Sequence, residues 1–303
     1  MRLRGIVPPL VTPLADRDSL DVDGLERLLE HVLAGGVHGL FILGTTGEAP
    51  DLSYHLRREL IDRVCRQVAR RVPVLVGITD TAFVESLSLA RHAAAAGADA
   101  LVAAPPYYFP AGQPELVDFV SRLVAELPLP LMLYNMPQLT KTAFAIDTLR
   151  RLAGLERVVG IKDSSGDLDY FRSVLSLVGA ERPDWSVFIG PEEHLAEAIR
   201  LGAHGGVAGG AQILPSLFVD LHAAAVAGDT SRVADLQAEV MRLGRIYTIG
   251  RHASAVVKGT KCALSLMGLC SDIMAEPLTK FEAPERAAVR VVLESLGIAV
   301  SRP

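Results

Sequence analysis

Residues 158–167 read VVGIKDSSGD, and this stretch predicts a buried strand that ends at a lysine. The run of two valines and Ile161 is apolar and β-branched, which is typical of a strand in a parallel sheet covered on both faces. Lys162 follows at the carboxyl end of that strand. Burial there disfavours the charged ammonium form, and a neutral lysine amine can attack a ketone to form a Schiff base. For a lone lysine, the ordinary alternative is a side chain that reaches water or pairs with Asp163.

The composition is that of an ordinary globular protein. The chain has 303 residues, of which 50% are hydrophobic and 21% charged, and its formal net charge is −5. This length suits one large α/β domain or two smaller ones. No basic run is interleaved with aromatic residues, so we expect no nucleic-acid partner.

The cysteines and the amino terminus indicate the compartment. The three cysteines form no CxxC or Cys/His cluster, which argues against a structural zinc site, and their small odd number agrees with a reducing cytoplasm. Prolines 8, 9 and 13 interrupt the apolar amino terminus, so we interpret it as a strand rather than a signal peptide. No apolar run reaches the roughly 18 to 20 residues that span a bilayer, and we expect no membrane partner.

Strand-like and helix-like segments alternate along most of the chain. Eight strands are predicted, at residues 5–12, 39–43, 72–78, 100–104, 129–134, 158–162, 186–189 and 205–208. Eight βα units predict a closed (β/α)8 (TIM) barrel. A doubly wound open sheet is the alternative, but its first turn is usually glycine-rich, whereas this one is proline-rich.

The strand signal stops near residue 215, and helical patterns follow. We predict a barrel domain at residues 1–227 and a C-terminal helical extension at residues 228–303. Two local signals are also clear: Asp21 is placed to cap the first helix, and Gly97 to end the third.

Polar residues cluster just after the predicted strands. They are Thr12, Thr45, Thr46, Glu48, Tyr107, Tyr108, Tyr134, Asn135, Lys162, Asp163 and Glu193. Active sites of such barrels lie at the carboxyl ends of the strands, so we expect these side chains on one face.

Each of these groups also has a plainer interpretation. The turn at residues 44–47 offers two hydroxyls and N–H groups to a carboxylate, or is simply a tight turn. Tyr134 is a candidate proton relay, or lines the barrel. Adjacent tyrosines point in different directions, so at most one of Tyr107 and Tyr108 should reach a site. Glu193 is of a type that often caps a helix.

Four motifs, taken together, are specific. They are GTTGE at 44–48, PYY at 106–108, YNMP at 134–137 and GIKD at 160–163. With them the chain resembles the family of dihydrodipicolinate synthase and N-acetylneuraminate lyase, the pyruvate-dependent class I aldolases. The resemblance runs from about residue 5 into the C-terminal helices.

The resemblance implies a catalytic mechanism. Lys162 would form the Schiff base with the ketone of a 2-oxo acid, and Tyr134 would relay protons. Thr45 would link Tyr134 to Tyr108, which would come from a neighbouring subunit of a homotetramer. The protonated imine acts as an electron sink, so neither a metal nor another cofactor is expected.

The resemblance also implies substrate contacts. Thr46, with Gly47 and nearby backbone N–H groups, would hold the carboxylate of pyruvate or another 2-oxo acid. The backbone carbonyl of Val207 would face the Schiff base. Glu193 matches a glutamate that binds polyol hydroxyls in the sialic acid lyases.

One departure bears on the substrate. Dihydrodipicolinate synthases carry an arginine where this chain has Leu139, and that arginine grips a second carboxylate; leucine cannot. The sialic acid lyases have leucine there, yet the loop at residues 209–212 looks more like that of the 2-keto-3-deoxy sugar acid aldolases. Lys141 stands where many members have glycine.

We therefore predict a Schiff-base lyase that cleaves a 2-oxo-3-deoxy sugar acid to pyruvate and an aldehyde, with N-acetylneuraminate as one candidate. The alternatives are condensation of pyruvate with aspartate semialdehyde, or a dehydratase or deaminase that uses the same Schiff base. A non-catalytic sugar-acid binder is the least favoured interpretation.

Overall fold

The computed structural model describes residues 2–300 of the chain. The outer limits of the two predicted domains, residues 1 and 303, lie outside this range, and the boundary between the domains stays a prediction. The strands are β1 (Gly5–Ile6), β2 (Leu14–Asp16), β3 (Ser19–Leu20), β4 (Leu40–Ile42), β5 (Val74–Gly77), β6 (Ala100–Ala103), β7 (Leu131–Asn135), β8 (Val158–Asp163), β9 (Ser186–Ile189) and β10 (Gly205–Gly206).

Helices separate these strands and continue beyond the last one. They are α1 (Val22–Ala34), α2 (Tyr54–Val68), α3 (Phe83–Ala96), α4 (Gln113–Glu126), α5 (Pro137–Thr140), α6 (Ile146–Ala153), α7 (Leu168–Glu181), α8 (Leu195–Arg200), α9 (Pro215–Ala227), α10 (Thr230–Leu243), α11 (Ala255–Leu266) and α12 (Ala283–Ser295). Short 3-10 helices lie at Ala49–Asp51, Glu192–His194, Gly209–Gln212 and Gly244–Thr248.

Eight parallel strands form the predicted (β/α)8 barrel. Their order is β1-β10-β9-β8-β7-β6-β5-β4. The two ends of this sheet meet through Phe41, whose N–H donates to Pro8 O at 3.0 Å and whose carbonyl accepts from Leu10 N at 2.8 Å. The fold prediction, including the C-terminal helices, is confirmed.

The first predicted strand is shorter than expected. Regular pairing covers only Gly5–Ile6, because prolines 8 and 9 have no N–H to donate to a ladder. The chain then forms an antiparallel hairpin, β2 with β3, which the sequence pattern did not predict.

Local signals at helix ends are confirmed. The Asp21 carboxylate accepts from Gly24 N at the start of α1, and Gly97 ends α3 with a φ of 95°, a left-handed conformation in which glycine is not penalised. Each cap defines where a helix begins or stops and therefore how the chain reaches the next strand of the barrel.

The core has two layers, which decide where Lys162 points. Successive side chains along β7 point to opposite faces of the sheet. Leu131 and Leu133 pack against the helices, whereas Met132 and Tyr134 face the barrel interior. On β8, Ile161 belongs to the outer layer. The next residue, Lys162, is therefore directed inward.

Candidate active site

Lys162 is buried inside the barrel, with 5% of its surface exposed. Its Nζ lies 4.2 Å from the centroid of the Tyr134 ring and 5.2 Å from that of the Phe41 ring. No carboxylate within residues 2–300 forms an ion pair with it. An amine held against two aromatic rings beside the mostly apolar inner layer of the barrel is placed to react as a nucleophile.

The carboxylate next to it in sequence is occupied elsewhere. Asp163 points away from the barrel axis, as alternation along a strand requires, and accepts from Asn135 Nδ2 at 2.8 Å and Ser165 Oγ at 2.9 Å. The plainer interpretation, in which Lys162 pairs with Asp163, does not describe this structure.

Tyr134 is the polar neighbour of the lysine. It lies opposite Lys162 in the register of β7 and β8, and its hydroxyl is 3.3 Å from Thr45 Oγ1. Burial alone would raise the pKa of the phenol. The positive charge of Lys162 and hydrogen bonds with Thr45 and Ser164 outweigh that effect, so the pKa of Tyr134 lies below its usual value. A phenol with a lowered pKa is suited to exchange protons.

The threonine turn follows β4 at the same end of the barrel. Gly47 N donates to Gly44 O at 3.1 Å, and Gly47 O accepts from Thr12 Oγ1 at 2.7 Å, so Gly47 is held within the protein. The half-buried hydroxyl of Thr46 has no hydrogen-bond partner in the described range. This hydroxyl is therefore available to a ligand.

Tyr108 does not join this cluster within one chain. Its surface is 86% exposed and that of Phe109 is 80% exposed, and the two rings pack edge to face at 5.6 Å. Tyr108 also has a φ of 81°, in the region that side chains other than glycine rarely occupy. A strained, exposed aromatic pair is suited to a subunit interface.

Comparison with known proteins decides the family. The model of the dihydrodipicolinate synthetase family matches residues 2–296. The chain belongs to this family. It is therefore a carbon–carbon lyase of the aldolase kind.

Two curated relatives of this family member are named for different reactions. A probable 2-dehydro-3-deoxy-D-pentonate aldolase of Escherichia coli is 33% identical over 98% of each chain. A 4-hydroxy-tetrahydrodipicolinate synthase of Phenylobacterium zucineum is 33% identical over 97% of this chain and 98% of its own.

Solved structures of the family superpose closely. A dihydrodipicolinate synthase from Bacteroides thetaiotaomicron has a TM-score of 0.94 and 54% identity, with 97% of this chain and 98% of that one covered. A family member from Escherichia coli in complex with pyruvate has a TM-score of 0.92 and 28% identity, with 98% and 99% covered.

The remaining predicted substrate-contact positions of this synthetase-family member differ in burial. Val207 is buried in the inner layer. Leu139 lies on α5, a short helix that the sequence pattern did not predict, and is 47% exposed. Gln138 Nε2 anchors that helix to Ser165 O at 2.6 Å.

The two adjacent glutamates after β9 have different surroundings. Glu193 is exposed. Glu192 is buried, and it accepts from Gly210 N at 2.6 Å and from Tyr247 OH at 3.1 Å. Burial raises the pKa of Glu192 to about 7, although these hydrogen bonds oppose the rise. No sequence signal distinguished Glu192 from its neighbour or singled out Tyr247.

A second buried carboxylate, Glu48, was predicted only as a strand-end residue. It forms an ion pair with Lys261 of α11, and both side chains are almost fully buried. Lys261 lies in no recognisable motif, so nothing in the sequence pattern selects it.

Two further features concern metals and membranes. Within residues 2–300, no group of three or more His, Cys, Asp or Glu side chains is arranged to hold a metal ion. None of the helices in this range has the length and apolar character needed to span a bilayer.

Proposed function

We propose that the protein cleaves a 2-oxo-3-deoxy sugar acid to pyruvate and an aldehyde through a Schiff base on Lys162. The observation that carries the proposal is the buried lysine amine beside Tyr134. The neutral amine attacks the C2 ketone, and the resulting carbinolamine takes a proton from Tyr134 and loses water to give the protonated imine. This step needs a nearby group that can both give and accept a proton, and Tyr134 is that group.

Bond cleavage follows from the charge on the protonated imine. Tyr134 takes the proton from the C4 hydroxyl, and the C3–C4 electrons move into the imine to form an enamine while the aldehyde leaves. Tyr134 then returns that proton to C3, and hydrolysis of the imine releases pyruvate and restores Lys162. The free hydroxyl of Thr46 supports its proposed role in holding the substrate carboxylate.

The sugar-acid substrate class rests on Leu139. A carboxylate at the far end of the substrate would find no partner in leucine, so any hydration that it loses on binding would be an uncompensated cost. A polyol chain has no such cost. The relative named as a 2-dehydro-3-deoxy-D-pentonate aldolase supports this class.

A second candidate function is condensation of pyruvate with aspartate semialdehyde. Two synthases favour it. One is the Phenylobacterium relative, which is as similar in sequence to this chain as the pentonate aldolase is, and the other is the 54% identical Bacteroides structure. For this reaction another cation must take the place of the missing arginine. Lys141 is a neighbouring cation; its ammonium donates to Gln138 O at 2.8 Å and has further N–H donors for a carboxylate.

The test has two parts. Borohydride reduction in the presence of pyruvate should add the mass of a reduced pyruvyl group to the peptide that carries Lys162, and the Lys162→Arg variant should not be modified. A panel of 2-oxo-3-deoxy sugar acids, assayed through lactate dehydrogenase for released pyruvate, should identify at least one substrate. Labelling at Lys258 instead of Lys162 would disprove the Schiff-base assignment.

A further inference from the structure

The carboxylate of Glu48 joins the threonine turn to the C-terminal helices. It pairs with Lys261 on α11, and the two side chains are 1% and 0% exposed. Ala275 N donates to Glu48 Oε1 at 2.8 Å, and Lys261 Nζ also donates to Ile273 O at 2.7 Å. Two segments that follow the barrel therefore converge on the last residue of the GTTGE motif.

Burying this pair is costly, so its presence requires an explanation. Removing each ion from water is unfavourable, and apolar residues of similar volume often serve stability equally well. Burial raises the pKa of Glu48 and lowers that of Lys261, while the charge of each opposes the shift of the other. General stability is therefore a weak explanation for this pair.

The turn that Glu48 ends is strained. Leu43 and Glu48 have φ values of 58° and 55°, a left-handed conformation that persists only where the surroundings enforce it. Glu48 N donates to Thr45 O at 3.0 Å, and Gly47 N donates to Gly44 O. A displacement of Glu48 is thereby transmitted to Thr45 and to the intervening Thr46.

We propose that Glu48 and Lys261 are positioning residues that hold Thr45 and Thr46 in the orientation needed to capture the substrate carboxylate and complete the Tyr134 relay. The C-terminal helices are then part of the catalytic apparatus rather than an appended domain. This inference rests on the proposed Schiff-base function, and Glu48 and Lys261 act through the turn without touching substrate.

The experiment separates positioning from stability by comparing single and double variants. Glu48→Gln keeps the side-chain shape, and Lys261→Met removes the charge. The double variant Glu48→Leu/Lys261→Met replaces the ion pair by apolar groups. Arg182→Met is the control, since it breaks an ion pair with Asp184 at the amino end of β8, away from the threonine turn. Each protein is assayed for melting temperature and for the pyruvate concentration that gives half-maximal borohydride trapping.

We expect both single variants to need at least tenfold more pyruvate for half-maximal trapping. The double variant should regain a melting temperature close to that of the wild type without regaining pyruvate capture. Arg182→Met should trap like the wild type even if it is less stable.

Two results would overturn this inference alone. One is recovery of pyruvate capture together with stability in the double variant, which is what a merely structural pair predicts. The other is unchanged half-saturation in Glu48→Gln, the variant least disturbing to folding. Failure of the wild type to be trapped at all would instead overturn the proposed function, and this inference with it.

Discussion

Tyr134 and Lys162 occupy paired positions in the register of adjacent strands, with the lysine nitrogen 4.2 Å from the centre of the tyrosine ring. The strand pair therefore sets their separation, with no flexible loop between them. Their side chains share one inward face because both positions have the same parity along their strands. In the proposed mechanism, proton transfer and imine formation therefore take place at neighbouring points on a rigid surface.

Removing the Tyr134 hydroxyl should slow catalysis without unfolding the barrel. In Tyr134→Phe the ring keeps its edge-to-face contact with Phe41 at 6.3 Å, whereas the proton relay is lost. We expect kcat to fall about 100-fold or more, within the range of general acid–base effects. Steady-state rates and circular dichroism check this. A kcat within threefold of the wild type would show that Tyr134 is not the relay.

The exposed Tyr108–Phe109 pair predicts a homo-oligomer, which we expect to be a tetramer. Light scattering should report a mass well above that of one chain. Tyr108→Phe should keep this mass but lower kcat about tenfold, since only the hydroxyl that completes the neighbouring relay is lost. Phe109→Asp should weaken assembly because it charges an apolar contact. A monodisperse, fully active monomer would contradict the prediction.

Leu139 should determine which aldehyde half is accepted. Leu139→Arg introduces an unpaired charge and reduces space, so kcat/KM for the sugar acid should fall at least tenfold, or about 1.4 kcal/mol. Leu139→Met is the control, because it conserves volume without adding charge. In the wild type, a tenfold preference for aspartate semialdehyde over every sugar acid tested would refute the argument from Leu139.

Glu192 should make stability depend on pH. Its pKa is raised from 4.5 to about 7 in the folded protein, so between these values the native state binds more protons than the unfolded state. The contribution of protonated Glu192 to the free energy of unfolding is present at low pH and is lost as pH rises through about 7. The rise in the pKa of Glu192 corresponds to roughly 3 kcal/mol of stability lost over this pH range.

Thermal melts between pH 5 and 8 test this dependence. Glu192→Gln keeps an oxygen acceptor for Gly210 and Tyr247 but cannot ionise. The difference in melting temperature between this variant and the wild type should therefore shift in favour of the variant as pH rises. Glu26→Gln, a change at an exposed glutamate on α1, should leave the pH dependence unaltered. Parallel curves for the wild type and Glu192→Gln would show that Glu192 does not titrate in this range.

Several features followed from the sequence by itself because they depend on local pattern. The eight-unit alternation of strands and helices predicted the barrel, and the motif around Lys162 located the strand that carries it. Capping by Asp21 and Gly97 was also predictable, since the partners lie within one helical turn. The inward direction of Lys162 follows from the period of two along β8.

Tertiary structure alone decided the features that join distant segments. Barrel closure through Phe41, burial of Glu192 rather than Glu193, and the pairing of Glu48 with Lys261 depend on strand register and on how helices pack over the barrel. The sequence shows which residues are charged, but not which of them are buried or which partners they meet. Glu192 and Glu193 therefore cannot be distinguished from the sequence. Which charge is desolvated, and which partner it meets, is determined only when the folded chain excludes water from one and leaves the other exposed.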